Sequence, residues 1–127
     1  MRFMMLINAN PDYEAGLPPS QELMAGMAKL TEENVKSGAL ISVGGLAPSS
    51  KAMRIRHAGG KRTVIDGPFA ETKELIGGYA VIEAETPAEA LQHAQQVVDV
   101  HANAGVADFE IEIRLISHEI SFGPTRD

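Results

Sequence analysis

The sequence predicts an α+β domain in which one sheet carries two helices on a single face. Three observations predict it. The elements run strand–helix–strand, hairpin, strand–helix–strand; both helical stretches carry capping residues; and two of the strands are apolar on both sides. The 127 residues fall within the size of one domain, and no repeat, linker or low-complexity stretch divides them. Residues 1–127 therefore read as a single unit.

The first strand is Arg2 to Asn8. Phe3, Met5 and Ile7 alternate with Met4 and Leu6, so both faces are apolar and the strand is central. Asn10-Pro11-Asp12 and Pro18-Pro19 mark a loop. Ser20 then caps a helix that runs to about Ser37 and stops at Gly38. Its stripe is Leu23, Met27 and Leu30, with Met24, Ala28 and Val35 beside them, the methionines acting as core filler.

Ala39 to Gly44 reads as a second strand. Lys51–Ala58 and Lys61–Asp66 flank Gly59-Gly60, the dipeptide that a two-residue hairpin turn prefers. That turn sets the register, pairing Ile55 with Val64 and His57 with Arg62. Arg54 and Arg56 share the other face with Thr63 and Ile65. A further strand runs from Gly78 to Glu83. Thr86-Pro87-Ala88-Glu89 is a capping box with proline at the first helical position. The helix it opens carries Ala90, Leu91, Ala94, Val97, Val98 and His101 on one side and ends near Gly105. The last strand, Phe109 to Ser117, alternates Phe109, Ile111, Ile113 and Leu115 inward with Glu110, Glu112 and Arg114 outward.

Crossovers of one hand put both helices on the same face, which makes the order of elements ferredoxin-like. The opposite face is then bare. Because Arg2–Asn8 and Tyr79–Ile82 are apolar on both sides, that bare face would expose a large apolar patch. Sheet-to-sheet dimerisation covers it. Met5 and Val81 are the positions expected to probe that interface.

Composition narrows the chemistry. With no cysteine, disulfides, thiolate catalysis and cysteine-ligated metals are excluded. A net charge of −6 and a pI near 5.2 do not suit the phosphate backbone of nucleic acid. The apolar start, residues 1–7, is too short for a signal core or a membrane span, and Met1 reads as the start of a cytoplasmic protein. No phosphate loop, dinucleotide fingerprint or Gly-x-Ser-x-Gly elbow occurs, so no cofactor is expected. None of the four histidines, His57, His93, His101 and His118, has a partner at the spacing of paired helical ligands, and no metal is expected. His101 reads as a structural histidine on its helix's apolar stripe.

The run Asp66-Gly67-Pro68-Phe69-Ala70-Glu71-Thr72-Lys73-Glu74-Leu75-Ile76-Gly77-Gly78-Tyr79 resembles the signature of the YCII-related family, in the branch called DGPF proteins. The opening Arg2–Ile7, the segment Gly38–Pro48 and the hairpin are similar to that family as well. The resemblance implies a ferredoxin-like fold paired into a dimeric α/β barrel. More distantly it implies kinship with barrels that handle small aromatic or lactone-like molecules, including dehydrochlorinases and isomerases. It also implies association with alternative sigma factors. Some relatives are thought to use a histidine–aspartate pair. Asp66 matches the aspartate, whereas no histidine precedes His57.

Asp66 is the catalytic candidate. A carboxylate at the end of a strand, shielded by Phe69, can move a proton; the alternative is that it accepts hydrogen bonds from the turn's own amides. Glu71 and Lys73 are candidates for binding a polar or carboxylate group, or they open a helical turn. His118, on the polar face of the last strand with Glu112 and Arg114, is a further binding candidate or a solvated strand end. Five of the eleven basic residues lie between Lys51 and Arg62, either as an anion-binding patch or as protection of a strand edge. The expected function is a dimeric small-molecule-binding protein linked to transcriptional regulation. The alternative is a cofactor-free isomerase or lyase using Asp66 on a small cyclic substrate.

Overall fold

The computed structural model describes residues 1–70 and 74–118. Ten elements follow in order: β1 (Arg2–Asn8), α1 (Pro11–Glu14), α2 (Gln21–Ser37), β2 (Leu40–Gly45), a 3-10 turn at Ser49–Lys51, β3 (Met53–Ala58), β4 (Lys61–Asp66), β5 (Ile76–Glu83), α3 (Pro87–Asn103) and β6 (Ile111–Leu115). β2, β5, β1 and β6 form one antiparallel sheet in that order, and β3 and β4 form a separate two-stranded sheet. The architecture is α+β, with the strand arrangement expected of a ferredoxin-like sheet.

Local chemistry accounts for the helix ends. The Ser20 hydroxyl accepts from the Leu23 amide at 3.1 Å, and Gly38 closes α2 in the left-handed conformation at φ 81°. Thr86 Oγ1 accepts from the Glu89 amide at 3.1 Å. The return bond of the box is displaced by one residue, since Glu89 Oε2 accepts from Glu85 N–H rather than from the cap's own amide. α1 lies in a stretch the sequence assigns to a loop, and the 3-10 turn takes Lys51 from the expected strand Lys51–Ala58, which starts at Met53 instead. Asn10 Oδ1 caps α1 by accepting from Tyr13 N–H at 2.8 Å.

The core lies between the sheet and the two long helices. Phe3 and Met5 of β1, with Ala80 and Ile82 of β5, pack against Leu30 of α2 and Ala90, Ala94 and Val97 of α3. Met24, Val35 and Leu91, expected on the helix stripes, are exposed instead. Each lies off the buried row by helical geometry: Leu91 follows Ala90 by one residue, a rotation of about 100°. His101 is satisfied as expected, with Nδ1–H donating to the Val97 carbonyl at 2.8 Å and its ring stacked on Phe109 at 3.8 Å.

Cross-strand pairing identifies the two faces of the sheet. Phe3 pairs with Ile82 and Leu115, and Met5 with Ala80 and Ile113, all toward the helices. Met4 pairs with Val81 and Arg114, and Leu6 with Tyr79 and Glu112, on the opposite face. Met5, 4 % exposed, is thus a core residue and not a probe of the open face. Met4 takes that role beside Val81. Met4, Leu6, Tyr79 and Val81 are only half-buried, and among the described residues the long helices lie on the other side. β6 ends at Leu115, two residues short of the expected Ser117.

Candidate functional site

Three loops converge at the end of the sheet where β1 and β2 finish and β5 begins. Backbone bonds knit them: Ala9 N–H donates to the Leu75 carbonyl at 2.8 Å, and Leu46 N–H to the Gly77 carbonyl at 2.9 Å. The Tyr13 hydroxyl donates to the Leu46 carbonyl. Between the loops lies an open cleft of about 430 Å³. Leu46, Leu75 and Ile76 supply apolar wall, and Glu14, Lys51 and Arg54 bring charge.

Ser49 organises this cleft. It is 6 % exposed and is the one buried polar side chain among the described residues. Its N–H donates to Glu14 Oε1 at 2.8 Å, and its hydroxyl donates to Glu14 Oε2 at 2.5 Å. The same hydroxyl oxygen accepts from Phe69 N–H at 3.1 Å. One side chain therefore holds the end of α1, the 3-10 turn and the Asp-Gly-Pro-Phe turn together. A buried hydroxyl is tolerated because its donor and acceptor capacities are both used.

The same turn explains Gly67. Its N–H donates to the Ala52 carbonyl at 2.9 Å, and a Cβ at this position would collide with the backbone carbonyl of Ser49. Only glycine lets the turn approach so closely. The Gly67–Pro68 peptide is cis. Phe69, expected to shield Asp66, instead lies under Arg54, whose guanidinium carbon stands 3.7 Å from the ring centroid. This pairing places a fixed cation over an aromatic surface at the edge of the cleft.

The candidates read from the sequence occupy different places. Asp66 pairs with Met53 at the end of the hairpin and is exposed. The turn amides of Gly67 and Phe69 donate to Ala52 and Ser49, not to its carboxylate. Since Met53 and Arg54 alternate along β3, Asp66 faces away from the side of the hairpin that carries Arg54. Glu71 and Lys73 lie outside the described residues. His118 is exposed at the opposite end of the sheet, near the start of β1, with Nδ1 3.2 Å from Ser117 Oγ. It is not brought to the cleft within one chain.

Glu14 and Ser49 were not legible as functional residues in the sequence. They lie 35 positions apart, Glu14 at the end of α1 and Ser49 at the start of the 3-10 turn, and no local spacing links them. Among the described residues, no group of three or more His, Cys, Asp or Glu side chains is placed to hold a metal ion. Nor is any helix there long and apolar enough to cross a membrane.

The model of the YCII-related domain matches residues 1–113. An uncharacterized protein of Rhizobium meliloti (strain 1021) is 33 % identical over 85 residues, covering 67 % of this chain and 68 % of its own. The match extends from β1 through most of β6 and so includes every element that builds the cleft. The chain belongs to the YCII-related domain family.

Proposed function

We propose that this protein is a homodimer that binds a small anionic molecule with a planar, apolar body in the Glu14–Arg54–Phe69 cleft. One observation carries the reading: Arg54 is held over Phe69 at the edge of a cleft that Lys51 also lines. Two cations beside Leu46, Leu75 and Ile76 suit a carboxylate attached to an aromatic or cyclic frame. Glu14, whose two oxygens both accept from Ser49, is held against the 3-10 turn rather than reaching across the cleft. The half-buried apolar face of the sheet, around Met4, Leu6, Tyr79 and Val81, lies opposite the long helices among the described residues and supports pairing of two chains into an α/β barrel.

Titration with benzoate, followed by amide chemical shifts, tests the ligand class. Shifts are expected at Leu46, Ala52, Phe69 and Ile76, and their loss in Arg54→Ala. Absence of saturable shifts, or equal shifts in the variant, would overturn the reading.

A second reading is favoured by the environment of Asp66, whose neighbouring turn amides are engaged elsewhere. A carboxylate not consumed by its own turn is available for proton transfer on a cyclic substrate. Asp66→Asn separates the two readings. A binding protein keeps its ligand; an enzyme loses turnover with its fold intact.

A further inference from the structure

The β3–β4 ladder sorts its charges by face. Successive residues of a strand point to opposite sides, so Arg54 and Arg56 share one side with their cross-strand partners Ile65 and Thr63. Lys61, opposite Ala58, lies on that side too. Arg62 and Asp66 lie on the reverse, paired with His57 and Met53. Three of the ladder's four Lys and Arg side chains therefore fall on one face, and its one acid on the other.

Arg54 is the inner end of this cationic face, lining the cleft above the Phe69 ring. Arg56 stands two positions further toward the hairpin turn, a step of about 7 Å. Lys61 is its diagonal neighbour across the ladder, about 7–8 Å away. Both side chains are exposed, and among the described residues no carboxylate forms an ion pair with either. The cleft thus opens onto a run of cations.

That run is not a product of composition. Lys51 to Arg62 holds five basic residues and no acid, leaving six basic against seventeen acidic elsewhere. Protection of a strand edge needs cations along the edge, but not their segregation onto the face that continues a cleft. Neighbouring cations repel one another, and an anion lying across them offsets that repulsion.

We propose that the cleft takes a dianion, a planar molecule whose first anionic group lies at Arg54 and Lys51 and whose second lies against Arg56 and Lys61. This rests on the anion-binding reading given above and narrows it to a rigid frame with an oxyanion, carboxylate or phosphate, at each end. The step of about 7 Å between Arg54 and Arg56 sets the length of that frame. Groups at opposite ends of one ring reach both guanidinium groups, whereas a single group is held by the first alone.

Terephthalate, with a carboxylate at each end of its ring, is compared with benzoate, which has one. Both are titrated at one ionic strength and followed by amide chemical shifts. Terephthalate is expected to bind about fivefold tighter, with shifts extending to Arg56 and Thr63. Arg56→Gln should remove that advantage. Arg62→Gln takes the same charge from the reverse face and should keep it. If benzoate saturates the cleft but terephthalate binds no tighter, or if both variants lose the advantage equally, the second anion contact is overturned and the cleft reading stands. If neither compound gives saturable shifts, the cleft reading falls and the dianion site with it.

Discussion

The hydroxyl of Ser49 donates a 2.5 Å hydrogen bond to the Glu14 carboxylate, joining residues 35 positions apart. Because Ser49 Oγ also accepts from Phe69 N–H, this contact links the end of α1 to the Asp-Gly-Pro-Phe turn. The walls of the cleft are thereby referred to one buried side chain. Arg54, stacked on Phe69, inherits its position from the same anchor.

Ser49→Ala is expected to lower stability by about 1–3 kcal/mol, the range for leaving buried polar partners unmatched. Phe69 N–H would lose its acceptor, and Glu14 would keep only the backbone donor of Ser49. Urea unfolding measures the loss. A variant within about 0.5 kcal/mol of wild type, the spread of neutral surface changes, would show that Ser49 is not the anchor.

Gly67→Ala is expected to cost about 1–3 kcal/mol or more, because the new methyl meets backbone, which cannot rotate away. The loss should come with displaced amide resonances at Ser49, Ala52 and Phe69, whose bonds frame the turn. Unchanged resonances would mean that the turn relaxes without involving the cleft.

Adjacent methionines on β1 should respond in opposite ways. Met5→Glu buries an unpaired carboxylate among Phe3, Ala80 and Leu30, a cost of several kcal/mol against a total stability of about 5–15, and the chain should fail to fold. Met4→Glu should fold, keep its far-ultraviolet circular dichroism and sediment as a monomer. If Met4→Glu remained a stable dimer, the open face would not be the interface.

Elements whose signals span three or four residues were readable from the chain alone. Ser20 and Thr86 cap α2 and α3 because a cap bonds to an amide three positions on, and the hairpin register follows from its two-residue turn. The family signature from Asp66 to Tyr79 was readable for a similar reason, being contiguous. Its physical use was not. The turn is held by Ser49 and Ala52, which approach it only when the hairpin folds back.

By itself the sequence determined the order of elements, their caps, the hairpin register and the two apolar faces of the central strand. All of these depend on neighbours along the chain. Tertiary structure decided which face the helices cover, since alternation separates Met4 from Met5 but cannot say which lies inward when both faces are apolar. It also decided that Glu14, Ser49 and Phe69 meet, and that Arg54 and Asp66 face opposite ways. Contacts between residues distant in sequence depend on how whole elements pack, and no local spacing encodes them.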